Sequence, residues 1–182
     1  MTMNVNLPVP GRQMVYNALA ATLLATKLKI APLQIKKALE NFSNVNGRNN
    51  VIRTDKYTVI NDAYNASPMS MRAALDVLKD VKGRKVAVLG DVFELGEDAE
   101  KLHFQIGQYA GKTGADVIIC VGEKSEKTCM GARMTSDNIV KHYKTTDECI
   151  ELMDHLLKDG DTILVKASHA MEFEKIVDHL TK

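Results

Sequence analysis

The sequence predicts an α/β fold: a Rossmann-like, mostly parallel sheet with one antiparallel edge strand, preceded by a short helical segment. Three observations carry this. Short, wholly apolar runs such as Val117-Ile-Ile-Cys-Val121 lack the polar alternation of a half-solvated strand, so they suit strands covered on both faces. Segments of helical period separate those runs. Before residue 48 there are only helical patterns, which sets the opening segment apart.

In that opening segment, Val15, Leu19, Thr22, Leu23 and Thr26 mark one face of an Ala-rich helix that pauses at Ala31-Pro32. Ile35, Leu39 and Phe42 mark a second helix. Asn44-Val-Asn-Gly-Arg48 reads as a loop, and the domain boundary is placed there, giving segments 1–47 and 48–182.

Beyond the boundary, Asn50 to Arg53 and Tyr57 to Ile60 flank Thr54-Asp-Lys56 and read as a hairpin. Ser67 is a good N-cap, with Pro68 where a first-turn proline loses no hydrogen bond; Met71, Ala74, Leu75 and Leu78 then face inward. Lys85-Val-Ala-Val-Leu89 is a buried strand, followed by a helix faced by Leu102, Ile106, Tyr109 and Ala110. After the strand at Val117–Val121, Thr145 and Glu148 have the spacing of a capping box, with Leu152, Met153 and Leu156 turned inward. Thr162-Ile-Leu-Val165 is the last strong strand, and Phe173, Ile176, Val177 and Leu180 line the closing helix.

Bulk composition removes several classes of function. Net charge is +1 with 26% charged residues, so no global field recruits nucleic acid. There is no run of about 18 apolar residues to span a membrane. Residues Met1 to Leu7 lack the basic stretch and apolar run of a signal peptide, and Leu7-Pro-Val-Pro-Gly11 reads as a linker inside a longer chain. Cys120, Cys129 and Cys149 form an odd set without metal-type spacing, expected to be buried, reduced thiols of a cytoplasmic protein.

Ligands of such sheets bind beyond the carboxyl ends of the strands. Four polar clusters fall there: Asn61 to Asn65, Gly90-Asp91 with Glu94, Gly122-Glu123-Lys124, and Lys166 to His169. Asp62 could accept bonds from ribose hydroxyls, and Asn65 could hold a peptide or nucleotide; both residue types equally suit a turn. Asp91 and Glu94 could orient or deprotonate an amine, whose pKa is about 8, or form a solvated acidic loop. Lys166, Ser168 and His169 precede a helix and could hold a carboxylate or phosphate, or make an ordinary connection. Arg48 sits where one domain can offer a guanidinium to another's phosphates; an exposed linker arginine fits as well. His103, beside an apolar helix position, reads as structural, and no metal site is expected. The chain has no G-x-x-x-x-G-K-[ST] and no G-x-G-x-x-G, so an ATP-using reading needs further protein.

These residues resemble the Mur ligases in order and spacing: Pro10-Gly-Arg-Gln-Met-Val-Tyr-Asn-Ala-Leu-Ala-Ala21, Asn46-Gly-Arg48 and Asp62-Ala-Tyr-Asn-Ala-Ser-Pro68. Leu89-Gly-Asp-Val-Phe-Glu-Leu-Gly96 and Leu164-Val-Lys-Ala-Ser168 resemble the MurF-type branch, which joins D-alanyl-D-alanine to UDP-N-acetylmuramoyl-tripeptide. The resemblance implies a cytoplasmic ATP-dependent peptide ligase of cell-wall synthesis that works through an acyl phosphate with Mg2+. It implies that residues 1–47 close the central ATPase domain, that 48–182 form the C-terminal Rossmann-like domain, and that the domains holding the P-loop lie outside this chain, which alone is inactive.

Carried over by position, Asn17 would contact adenine, Arg48 the phosphates, Asp62 the ribose and Tyr64 the nucleotide. Asp91 and Glu94 would act on the amine, with Asn65, Lys166, Ser168 and His169 in the dipeptide pocket. The chain departs from the family pattern at Gln13-Met14, where His-Asn is usual, and at Ala167-Ser168-His169, where Gly-Ser-Arg is frequent. The alternatives are a stand-alone Rossmann-like small-molecule binding module, or a related folylpolyglutamate or tripeptide synthase.

Overall fold

The computed structural model describes residues 2–44 and 47–182, which form two compact units, Met1–Val45 and Asn46–Lys182. Of the loop expected at 44–48, residues 45 and 46 lie outside the described residues. The first unit holds α1 (Arg12–Lys27) and α2 (Pro32–Glu40), with Pro32 at the first turn of α2. Nothing on α1 is buried: Leu19, Leu23 and Leu24 of its apolar stripe are each 60% or more exposed. Phe42 falls beyond the end of α2 and is also exposed.

The second unit is a six-stranded sheet. In chain order its elements are β1 (Asn50–Arg53), β2 (Thr58–Asn61), α3 (Pro68–Lys79), β3 (Lys85–Gly90), α4 (Ala99–Gly111), β4 (Val117–Val121), α5 (Ser125–Arg133), β5 (Ile139–Tyr143), α6 (Thr146–Leu152), β6 (Thr162–Lys166) and α7 (Glu174–Leu180). The sheet order is β1-β2-β6-β3-β4-β5, with β1 antiparallel to β2 at the edge and every other pairing parallel. The last strand to be made, β6, lies between β2 and β3. β4 and β6 are buried along their whole length, as their unbroken apolar runs require.

Chain direction explains the two layers of helices. The crossovers through α3, α4 and α5 all advance along the sheet in one direction, and their helices pack in one core with Ile60, Leu89, Ile118 and Leu164. The return to β6 reverses direction, so α6 covers the other face with Val59, Val88, Ile119 and Val165, and α7, which follows β6, packs in the same core. Local chemistry supports each start. Ser67 and Ser70 form a reciprocal capping box on α3. On α6 the box is incomplete: Thr145 accepts from the Glu148 amide, but Glu148 reaches the amide of Lys144 instead of that of Thr145. Leu152, expected inward, is 44% exposed because α6 ends there and the chain turns into a 3-10 segment that buries Met153 and Leu156.

Two elements were not named from the sequence, α5 and β5. Helix α5 has no apolar stripe of large residues because it packs on α4 through glycine. A Cβ on Gly107 would lie 1.9 Å from the Thr128 carbonyl oxygen, and one on Gly131 would lie 2.1 Å from that of Phe104. The two backbones therefore touch. On α4 the inward positions are His103, Ile106, Gly107 and Ala110, leaving Leu102 and Tyr109 half-buried. We predict that Gly107→Ala and Gly131→Ala each lower stability by about 1–3 kcal/mol, read as a fall in the thermal midpoint. An unchanged midpoint would mean the helices are not in backbone contact.

Candidate functional site

Because β2, β6, β3 and β4 are parallel, their carboxyl ends share one rim, and the four polar clusters meet there. The organising strand is β6. Its last residue, Lys166, turns to the loop after β2, and Ser168, two residues on, turns to the loop after β3.

On the β2 side, Lys166 Nζ lies 2.7 Å from Asp62 Oδ2, with the lysine side chain 2% exposed and the aspartate 18%. The same ammonium donates to the carbonyl of Asn65 at 2.8 Å and reaches that of Asp62 at 3.4 Å. Burial pulls the lysine below its ordinary pKa, and the Asp62 carboxylate opposes that pull. Asp62 Oδ1 accepts the amide of Asn49, a residue held at φ 52°. Above this layer the Arg48 guanidinium lies 4.2 Å from the Tyr64 ring centre, and the Tyr64 and His169 rings are 5.6 Å apart. Tyr64 is tied to the chain before β1 through its amide on the Gly47 carbonyl. Asn65 is exposed and its side-chain oxygen accepts the next amide, the turn-making bond that its residue type also allowed.

On the β3 side, Asp91 is 4% exposed. Its two oxygens accept the amides of Ser125 at 2.7 Å and Lys124 at 3.2 Å, so the carboxylate closes the amino end of α5. Gly122 makes room: it has φ 111°, and a Cβ there would lie 2.5 Å from the Asp91 carboxylate. Ser168 bridges the rim, donating its amide to the Asp91 carbonyl and accepting the Phe93 amide on its hydroxyl at 2.9 Å. Glu94, the next residue, is exposed and held at φ 61°. Asp91 and Lys166 were both expected to meet ligand, but their polar atoms are committed to the protein. Among the described rim residues, Glu94, Asp62, Tyr64, Arg48 and His169 reach solvent, as do Asn65, Glu123 and Lys124. Asn17 lies on α1 in the other unit, exposed, with its amide nitrogen 3.8 Å from Met14 Sδ.

The β3 loop is supported by His103, the residue that the sequence reads as structural. It is fully buried, with Nδ1 2.9 Å from Thr128 Oγ1 and Nε2 3.2 Å from the Val92 amide. Nε2 also lies 3.3 Å from the Val92 carbonyl, so the ring can accept from the Val92 amide or donate to its carbonyl according to its tautomer. Among the described residues no group of three or more His, Cys, Asp or Glu side chains is placed to hold a metal ion.

Residues 47–169 match the model of the Mur ligase, glutamate ligase domain. The chain belongs to the Mur ligase family. Its relatives include UDP-N-acetylmuramoyl-tripeptide--D-alanyl-D-alanine ligase of Escherichia coli (strain K12), 34% identical over 97% of this chain and 38% of that protein. A crystal structure of MurF from Acinetobacter baumannii superposes with a TM-score of 0.87 at 33% identity, covering 98% of this chain and 40% of that one. MurF ligase from Thermotoga maritima, solved in complex with ADP, shares the fold with a TM-score of 0.82 at 24% identity. The chain thus spans about two fifths of the length of the Mur ligases it matches. No helix among its described residues is long and apolar enough to cross a membrane.

Burial holds the His103 imidazole below its ordinary value of about 6.5, which fixes a direction for stability. As pH falls, the unfolded chain takes up this proton first. The stability His103 contributes is therefore complete above about pH 6.5 and is lost as pH drops towards the folded value. We predict that His103→Gln costs about 1–3 kcal/mol at pH 7.5. Urea unfolding should show a shallower fall in stability between pH 7.5 and 5.5 for that variant than for the parent chain. Equal slopes would show that His103 does not titrate on unfolding.

Proposed function

We propose that this chain is the C-terminal part of a MurF-type ligase, which uses ATP to join D-alanyl-D-alanine to UDP-N-acetylmuramoyl-tripeptide in the cytoplasm. The observation that carries the reading is the pairing on one rim of an oriented, partly exposed carboxylate, Asp62, with a rigidly mounted and exposed one, Glu94. Relatives about one third identical over nearly the whole chain carry that activity in their names, which favours this reading over a stand-alone binding module or a folylpolyglutamate synthase.

In the reaction, the tripeptide carboxylate takes the γ-phosphoryl group of ATP to give an acyl phosphate and ADP. The dipeptide amine attacks the acyl carbon, phosphate leaves, and the amide forms. Asp62 accepts the ribose hydroxyls, and Arg48, braced on Tyr64, faces the phosphates. Glu94 takes the proton that the amine must lose, at a pKa of about 8, before or during attack. Asp91 and Ser168 hold the loop that carries Glu94. His169 and Asn65 border the dipeptide pocket. The phosphate cradle, the adenine contacts opposite Asn17 and the ligands of Mg2+ are supplied outside residues 47–182, so the chain alone turns over no ATP.

The test is ADP release by the complete ligase carrying this segment, with UDP-N-acetylmuramoyl-tripeptide present. Release should depend on D-alanyl-D-alanine; dependence on glutamate instead would overturn the reading. Asp62→Ala should raise the KM for ATP about ten- to hundredfold, the worth of bonds to a charged acceptor. Glu94→Gln should lower kcat about a hundredfold or more while leaving the KM for ATP unchanged. Unchanged ATP kinetics for Asp62→Ala would remove Asp62 from the nucleotide site.

A further inference from the structure

Three features of Lys166 set it apart from a lysine that binds ligand. Its side chain is 2% exposed, so its ammonium has no surface to offer a substrate. An ammonium has three N–H donors. Three protein acceptors surround this one, Asp62 Oδ2 at 2.7 Å, the Asn65 carbonyl at 2.8 Å and the Asp62 carbonyl at 3.4 Å. No donor is left over. The third feature is its position on β6, between β2 and β3, where it can reach the β2 loop only after the last strand has inserted.

The acceptor side gives the complementary count. An ionised carboxylate offers about four lone-pair sites. Among the described residues Asp62 spends one on the Asn49 amide and one on Lys166, which leaves two, on a side chain still 18% exposed. Two free sites on one oriented carboxylate suit the two adjacent hydroxyls of a ribose. A carboxylate at a strand end without these two ties could rotate about its side-chain torsions and would lose orientation entropy on binding.

We infer that Lys166 is a positioning residue for the nucleotide: it grips the Asp62 carboxylate and the Asn65 carbonyl, and thereby sets the geometry in which Asp62 receives the ribose diol. The inference rests on the ligase reading for its ligand, while the grip itself belongs to this chain. Lys166 acts through Asp62 and touches no substrate. Ser168 does the equivalent for the opposite loop through the Phe93 amide.

Two measurements separate the grip from the ligand. In the 182-residue chain, Lys166→Met should speed hydrogen exchange of the Asn49 amide at least tenfold, with the amides of β3 and β4 protected as before. Unchanged Asn49 exchange in a folded variant would overturn the inference. In the complete ligase, Lys166→Met should raise the KM for ATP about tenfold with kcat within threefold of the parent. The double variant Lys166→Met with Asp62→Asn should be no worse than Asp62→Asn alone, since both act through one carboxylate. A rise in the KM for D-alanyl-D-alanine instead would make Lys166 a direct ligand of the dipeptide and overturn the inference. Should Lys166→Met fail to fold, Lys166→Gln takes its place: faster Asn49 exchange with a raised KM for ATP supports the grip, and no change in either overturns it. If the parent enzyme shows no ATP-dependent ligation, the ligase reading falls, and the exchange experiment still judges the grip.

Discussion

A buried ammonium at the end of the central strand is the constraint on which the rim depends. Taking Lys166 and Asp62 out of water costs about as much as their attraction returns, so the pair is a poor source of net stability. What it supplies is definition. Removing one partner would leave a charge in the protein interior, and the loop after β2 avoids that by bringing Asp62 and the Asn65 carbonyl onto the lysine. In that arrangement the Asp62 backbone continues the β2–β6 ladder through its amide on Val165, and the Asn65 carbonyl points back at the lysine. The same strand end then reaches the other way through Ser168. One strand thus fixes the loops of both neighbours.

The two loops differ in how they are held, and the difference divides their roles. The β2 loop is held by charge and leaves part of its carboxylate in solvent. The β3 loop is held by neutral and helix-end contacts: Asp91 on the amides of α5, His103 between Val92 and Thr128, and Ser168 on Phe93. That frame consumes Asp91 and delivers Glu94 to solvent in a left-handed backbone conformation, which a non-glycine residue keeps only when its surroundings impose it. A rigid mount of this kind suits a carboxylate that must meet an amine at a set distance.

Much of this was legible in the sequence where the pattern reports burial. The unbroken apolar runs of β3, β4 and β6, the hairpin read at Asn50 to Ile60 and the Ser67 cap gave the sheet, its antiparallel edge and its rim. Helix α5 escaped because its packing is carried by what glycines omit, and absence of a side chain leaves no hydrophobic period. β5 escaped because it is an edge strand with exposed alternate residues, Ile139 among them. At the site, residue type located the rim clusters but could not separate a lysine that meets ligand from one that braces a loop. That distinction depends on which strand β6 inserts beside, a long-range fact with no local signature. His103 reads as structural from its helix position, but its partners, 11 and 25 residues away, were hidden for the same reason.

We propose that residues 47–182 form a transferable amine- and nucleotide-facing rim of a D-alanyl-D-alanine ligase. Its most direct test is a chimaera in which these residues replace the corresponding segment of the Escherichia coli relative. The account predicts ATP-dependent joining of D-alanyl-D-alanine to the UDP-linked tripeptide, measured as product formation, at a rate abolished when Asp62 and Glu94 are both neutralised. A folded chimaera that makes no such product, or one whose product formation survives the loss of both carboxylates, would contradict it.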